Sequence, residues 1–387
     1  MRIFISTGEV SGDLQGSLLV TALKRQAAIA NRELEIVALG GEQMAVAGAT
    51  LLGNTAGIGS LGLLEVLPYV VPTYKLQHQA FAFLKQNPPD AVVLIDYMGP
   101  NLAIAKFIRR HLPETPIFYY IAPQAWAASL KIITSQTTRE VVKVSDKLLA
   151  IFPEEARYYR EHGANVTWVG HPLIDRISEF PTREAARANL GIGEGDICVA
   201  LLPASRQQEL NFLLPTIFAT AKEIQLKLPQ VHFWIPLSLD KFRDAIAQSI
   251  QAYNLNATIV SGQNKDVLAA ADLAITKCGT VNLELALLNV PQVVLYKLSK
   301  LSYWIAQNIL QLSLPFASPP NLVMMQPIVP EFIQETATPE NLTQAAMELL
   351  LNPERKQKIQ ADYREMRQAL GENGVCDRAA KEILTSK

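Results

Sequence analysis

Short β-branched runs alternate with helix-length amphipathic segments along most of this 387-residue chain. Candidate strands are 2–6, 34–39, 91–95, 116–121, 147–152 and 166–169 in the first half. In the second half they are 197–202, 231–235, 257–260, 272–275 and 291–296. Helical periodicity fits 13–28, 101–111, 153–162, 207–227, 239–250, 280–288 and 300–312, and 338–386 reads as helix only. Such alternation predicts an α/β fold of parallel sheets with helices on both faces. A chain of this length is expected to form two domains. The pattern ends at Gly170-His-Pro-Leu-Ile-Asp175 and restarts near Ile197, which sets expected domains of 1–172 and 173–364.

Two strand-to-helix turns suggest what such domains would bind. The first is Ser6-Thr-Gly-Glu-Val-Ser-Gly-Asp-Leu-Gln-Gly-Ser17, and the second is Leu201-Leu-Pro-Ala-Ser-Arg-Gln-Gln-Glu209. Such a turn presents backbone N–H groups at a positive helix end, which suits an anion. One in each half predicts two similar domains sharing a ligand in a cleft. Ser11, Gly12 and Asp13 are candidates in the first turn, where Asp13 could equally cap a helix. Gly8, Gly12 and Gly16 do not spell a dinucleotide fingerprint. In the second turn Ser205 is a candidate beside Arg206. A cation at a helix start opposes the dipole unless an anion binds nearby.

Other residues belong to strand ends. Val92-Val-Leu-Ile-Asp96 closes an apolar run with a carboxylate, and ligands bind at the carboxyl ends of parallel strands. Asp96 is therefore a candidate general base, or else a turn residue. Glu9, in the first turn, is the competing base. Tyr119-Tyr-Ile-Ala-Pro-Gln-Ala-Trp126 suits sugar recognition through Gln124 and Trp126. His171 either bonds a ligand across the cleft or a backbone carbonyl in the linker. Gly279 and Thr280, after Cys278, again fit a phosphate, and Glu284 could accept from a ribose diol or cap its own helix.

Composition excludes several classes. With 35 basic and 36 acidic residues, nucleic acid is not an expected partner. Cys198, Cys278 and Cys376 lie far apart, so neither a metal cluster nor a disulfide scaffold is expected. Without a signal-peptide pattern or an uninterrupted apolar span, a cytoplasmic location is expected. Yet Gln43–Tyr74 holds one charge, Glu65, and Leu301–Pro330 holds none. These stretches are either buried packing or an apolar surface for a greasy substrate or membrane.

In order along the chain, these motifs resemble the lipid-A-disaccharide synthase family, inverting glycosyltransferases of the GT-B type. The resemblance rests on Gly8-Glu-Val-Ser-Gly-Asp13, Gly40-Gly-x-x-Met44, Leu61-Gly-Leu-Leu-Glu-Val-Leu67, Ile95-Asp96 with Pro100-Asn101, and Tyr119-Tyr-Ile-Ala-Pro-Gln-x-Trp126. It continues through Val169-Gly-His-Pro172, Leu202-Pro-Ala-Ser-Arg206, Cys278-Gly-Thr280 to Glu284, Pro291-Gln-Val-Val294, Pro320-Asn321 and Val329-Pro-Glu-Phe-Ile-Gln334. Cys278 stands where the family has Ser, Pro203-Ala-Ser-Arg206 replaces Pro-Gly-Ser-Arg, and Pro153-Glu-Glu155 replaces Pro-Phe-Glu. Trp126-Ala-Ala-Ser129 and Met98-Gly-Pro-Asn101 also depart, on the acceptor side.

The resemblance implies two Rossmann-like domains facing across a cleft, with helices from about 365 to 387 returning to the first domain. It implies transfer of a diacylglucosamine from UDP to the 6-hydroxyl of diacylglucosamine 1-phosphate, without a cofactor. UDP's leaving charge would be met by helix N-termini and Arg206 rather than by a metal. UDP would sit on Ser205, Arg206, Gly279, Thr280 and Glu284, with Asn101, Asn321 and Gln334 as further substrate-binding residues. The inner face of the cytoplasmic membrane would be a peripheral partner through 58–74, with 301–318 lining the route for the acyl chains, and a homodimer stays open. A GT-B enzyme on another UDP-sugar, such as a 2-epimerase, and a non-catalytic nucleotide-sugar binder are the competing readings.

Overall fold

The computed structural model describes residues 1–56, 69–123, 131–205, 207–309 and 315–385. The chain forms two compact units, chiefly Met1–Asp175 with Leu370–Lys387, and Arg176–Tyr303 with Pro315–Ala369.

The first unit runs β1 (Arg2–Ser6), α1 (Val10–Ile29), β2 (Glu35–Gly40), α2 (Glu42–Val46), β3 (Thr50–Asn54), α3 (Val70–Gln86) and β4 (Ala91–Ile95). It continues with α4 (Met98–His111), β5 (Ile117–Tyr120), α5 (Lys131–Val144), β6 (Lys147–Ala150), α6 (Pro153–Glu161), β7 (Val166–Trp168) and, across the junction, α7 (Leu173–Arg176). Its seven strands pair in parallel in the order β3-β2-β1-β4-β5-β6-β7. β4 is buried at every position, the pattern of a strand covered on both faces. Phe4, Val92, Leu94 and Tyr119 anchor the core, each side chain contributing about 1.5–3 kcal/mol through burial.

The second unit contains α8 (Arg183–Leu190), β8 (Ile197–Leu202), α9 (Gln207–Lys227), β9 (Val231–Pro236), α10 (Arg243–Tyr253), β10 (Ala257–Val260), α11 (Asn264–Ala270) and β11 (Leu273–Lys277). Then follow α12 (Val281–Leu287), β12 (Gln292–Tyr296), α13 (Lys300–Trp304), α14 (Pro319–Met324), β13 (Glu331–Ile333), α15 (Pro339–Leu351) and α16 (Pro353–Ala369), while the π-helical turn at Ile305–Ile309, after α13 in the chain, is grouped with the first unit. Its sheet is also parallel, in the order β10-β9-β8-β11-β12-β13.

The last helix, α17 (Val375–Thr385), belongs to the first unit and packs along α1. It buries Val375, Cys376, Ala379, Ala380, Ile383 and Leu384, a single stripe at helical spacing. Asp175 caps it, accepting from the backbone N–H groups of Gly374 (2.6 Å), Val375 (3.1 Å) and Cys376 (2.8 Å).

Three local expectations are corrected. Two strands lacked a sequence signal: β3 and β13 are short, half-buried edge strands without a strong apolar run. α1 begins at Val10, with Glu9 as its N-cap, so Asp13 does not cap it. The helix expected over 300–312 is α only to Trp304.

Candidate active site

Each sheet reverses its strand order once, between β1 and β4 and between β8 and β11. In open parallel sheets the crevice at that reversal, beyond the carboxyl ends, is where ligands bind. Asp96 and Glu9 stand at the first reversal, and Ser205 and Gly279 at the second.

At the first, the chain leaves β4 through two consecutive left-handed residues, Asp96 (φ 46°) and Tyr97 (φ 45°). Such backbone is costly for residues with side chains and persists only when its surroundings impose it. The Asp96 N–H donates to the carbonyl of Ile121 at 3.0 Å. Its carbonyl accepts from Asn101 Nδ2 at 2.7 Å and from Tyr119 Oη at 3.0 Å. Asn101 is wholly buried and also donates to the carbonyls of Ser6 and Ile95, lacing β1 to β4. Its own oxygen has no hydrogen-bond partner among the described residues. Asn101 is thus placed to set the Asp96 turn.

Burial, and secondarily the charge on Glu9, push the Asp96 carboxyl up to about 7. A base with that proton affinity matches neutral operating conditions. Behind it, wholly buried Glu155 accepts from the N–H groups of Ala122 (3.0 Å), Ile151 (2.8 Å) and Phe152 (3.2 Å). Burial still raises its carboxyl to about 7. Glu155 and Tyr159, whose hydroxyl donates to the carbonyl of Pro123 at 2.9 Å, brace the 121–123 backbone that receives the Asp96 N–H.

The first glycine turn is built for close packing. A Cβ on Gly12 would lie 1.8 Å from Thr7 Oγ1, and one on Gly16 would lie 2.6 Å from Met44 Sδ. Asp13 accepts from the N–H groups of Gly41 (2.8 Å), Gln43 (3.1 Å) and Met44 (3.1 Å), so its carboxylate holds the β2–α2 turn. Ser11 is half-buried in the first turn of α1. His171 is buried, accepts the Leu173 N–H at Nδ1 (3.2 Å), and is held neutral by burial, its value lowered to about 3. Its ring contact in the linker is thus with an N–H group and not with a carbonyl.

At the second reversal, the Ser205 N–H and Oγ both donate to Glu209 Oε2, at 2.7 and 3.0 Å. Glu209 Oε1 lies 3.4 Å from Lys277 Nζ, so the first turn of α9 and the end of β11 are joined by an ion pair. The Gly279 N–H donates to Asn282 Oδ1 at 2.7 Å, and Asn282 Nδ2 returns to the carbonyl of Lys277 at 3.2 Å. Thr280 is half-exposed at the start of α12. Glu284 is buried against Arg176, rather than capping its own helix. The Cys278 thiol donates to the carbonyl of Ala317 at 2.8 Å, and burial raises it to about 12, which keeps it protonated.

Asn321 is wholly buried and spends its amide within the fold, on Val329 and Glu331. Gln334 differs. It follows β13 in the left-handed region (φ 54°), and its Nε2 is buried with no hydrogen-bond partner among the described residues. Gln124, Trp126 and Arg206 lie outside the described residues, as does 58–68 of the stretch expected at the membrane.

Lys277, Glu209, Arg176 and Glu155 were not singled out from sequence. Lys277 had a signal, a cation at the end of a strand before Gly-Thr. The others act through partners that spacing does not reveal. Among the described residues no helix is long and apolar enough to cross a membrane.

Residues 3–385 match the family model for lipid-A-disaccharide synthetase. The lipid-A-disaccharide synthase of Gloeothece citriformis is 58% identical over 384 residues, covering 99% of each chain. That of Synechocystis sp. is 55% identical, over 99% of this chain and 97% of the relative. A UDP-GlcNAc 2-epimerase from Methanocaldococcus jannaschii, solved with UDP-GlcNAc and UDP, is similar in fold, with a TM-score of 0.60 at 15% identity over all of both chains. The fold is therefore shared with epimerases while the sequence is not, and the chain belongs to the lipid-A-disaccharide synthase family of glycosyltransferases.

Proposed function

We propose that this glycosyltransferase joins UDP-2,3-diacylglucosamine to 2,3-diacylglucosamine 1-phosphate, with Asp96 as the base. The acceptor's 6-hydroxyl oxygen attacks the anomeric carbon and its proton passes to Asp96. The bond to the diphosphate breaks with its electron pair leaving on UDP, and inversion gives the β-1,6-linked disaccharide. The observation that carries this reading is the imposed left-handed turn that places a carboxyl of raised proton affinity at the β1–β4 reversal.

The first unit is the acceptor and lipid side. Glu9 tunes Asp96 through its charge, and Asn101 holds the turn. Gln124 and Trp126 are proposed for the sugar, and the Ser11–Asp13 turn lies beside them in function. The second unit takes UDP through Ser205, Arg206, Gly279, Thr280 and Glu284. Gln334 offers its unpartnered amide to the donor sugar, because a buried donor without an acceptor costs about 1–3 kcal/mol until one arrives. Arg206 and the neighbouring loop dipoles offset the charge developing on the leaving diphosphate.

Membrane association is proposed for the acceptor side. Val70, Val71 and Tyr74 are exposed on α3, and Met98 is exposed on α4, which packs on α3. These apolar side chains border the Asp96–Tyr97 turn, since Thr73 Oγ1 lies 3.5 Å from Tyr97 Oη. They suit shallow insertion among the lipids of the inner leaflet, from which the acceptor is drawn.

The test is UDP release from the two defined lipid precursors by the wild type and Asp96→Asn. Asn keeps size and tolerates left-handed backbone. A rate loss of about 10²–10⁴-fold with substrate affinity retained supports the assignment. Turnover within fivefold of wild type, with Glu9→Gln collapsed, moves the base to Glu9.

A further inference from the structure

The chain passes from one unit to the other between Asp175 and Arg176. Asp175 is bound to the start of α17, whereas Arg176 turns into the second unit and pairs with Glu284 Oε1, 108 positions away. The pair is largely withdrawn from solvent, with side chains 18% and 10% exposed. Arg176 also forms part of the wall of a cavity of about 730 Å³, together with Phe180, Gly262, Asn264 and Lys265. Its guanidinium carbon lies 5.6 Å from the centre of the Phe180 ring, within cation–π range.

Glu284 lies one turn past the Gly279–Thr280 loop. A carboxylate so buried keeps its charge only with a partner. A guanidinium is the partner that also sets orientation, because its donors form a rigid plane. Carboxylate oxygens have room for about four hydrogen bonds, so a guanidinium on Oε1 does not exhaust Glu284 as an acceptor.

We propose that Arg176 is a positioning residue, holding Glu284 charged and oriented so that it accepts from the ribose hydroxyls of the bound nucleotide. The inference rests on the reading that Glu284 contacts the ribose of UDP. Preference for ribose over 2′-deoxyribose then depends on a residue that does not itself touch the sugar.

The experiment measures affinity of the full chain for UDP and for 2′-deoxy-UDP by calorimetry, in the wild type, Arg176→Met, Arg176→Lys, Glu284→Gln and the Arg176→Met/Glu284→Gln pair. The wild type should prefer UDP by about tenfold or more, the scale of a hydrogen bond to a charged group. Arg176→Met and Glu284→Gln should each bring the preference to within about threefold, and the double variant should lose no more. Arg176→Lys should fall between, since an ammonium supplies charge without the fork.

Equal weakening of both nucleotides by Arg176→Met, with the preference kept while Glu284→Gln abolishes it, overturns the proposal and leaves Arg176 a structural role. Should Arg176→Met fail to fold, a wild-type preference in Arg176→Lys beside a collapsed Glu284→Gln overturns it equally. A preference that survives Glu284→Gln instead overturns the underlying reading of Glu284.

Discussion

The ring of Tyr97 lies directly on Gly8: a Cβ there would sit 2.0 Å from Tyr97 Cδ1 and 2.3 Å from Cγ. The contact joins the loop leaving β1 to the loop leaving β4, beside the two carboxylates Glu9 and Asp96. The atoms at issue include the root of the ring, so the side chain cannot swing its tip aside to make room. Gly8 is thereby required by a packing contact, whatever ligand the turn meets.

Gly8→Ala should displace Tyr97 and loosen the Asp96 turn. Overpacking of this kind costs about 1–3 kcal/mol, to be read from urea unfolding. UDP release should drop further than the lost folded fraction accounts for, because the base is misplaced as well. Wild-type turnover in a folded Gly8→Ala protein would separate this contact from the site.

The rate should carry an acid limb. As the proposed base, Asp96 would act only when ionised, and its carboxyl is raised to about 7, so kcat/KM should climb with pH up to about 7 and then level. Glu9→Gln removes the charge that helps raise Asp96, moving the limb to lower pH. Stability runs in the opposite sense. The native state binds the Asp96 proton more tightly than the unfolded chain does, with its ordinary value of 3.8. This contribution is fully present below about pH 4 and is lost as pH rises through about 7. Asp96→Asn should remove the acid limb of the rate and lessen the slope of stability in that window, leaving the part that Glu155 contributes.

The sequence made the alternation of strands and helices readable because parallel strands buried on both faces are unbroken apolar runs, as β4 shows. It made Asp96 a candidate because ligands meet the carboxyl ends of such strands, although a turn residue reads the same way there. Edge strands β3 and β13 were not readable, since half-burial dilutes the pattern. Roles carried by distant partners were hidden too. Asp13 reads as a cap for the helix it opens, yet its carboxylate serves Gly41, Gln43 and Met44 in the next βα turn. Glu284 reads as a ligand or a cap, and only the fold brings Arg176 to it.

Arg206→Ala tests the donor side. Arg206 is the cation proposed for the diphosphate, and a charge-assisted hydrogen bond contributes about 1.5–3 kcal/mol. UDP affinity should fall about tenfold to a hundredfold by calorimetry. Unchanged binding would move the diphosphate elsewhere, with Lys277, on the adjacent strand end, as the next cation to replace.

Val71 and Tyr74 test the membrane face. They are 62% and 61% exposed in the first turns of α3. Replacing exposed apolar side chains away from the core usually changes stability by less than about 0.5 kcal/mol. An aspartate in a first helical turn is also favoured by the helix dipole. Val71→Asp/Tyr74→Asp should therefore fold and bind UDP as the wild type does. On anionic liposomes the variant loses apolar contact and adds two like charges, so sedimentation with vesicles should fall severalfold. Turnover with precursors presented in vesicles should fall with it, while turnover with detergent-dispersed precursors should change little. Loss of UDP binding together with vesicle binding would show that these side chains support the fold, and the membrane face would have to be sought elsewhere.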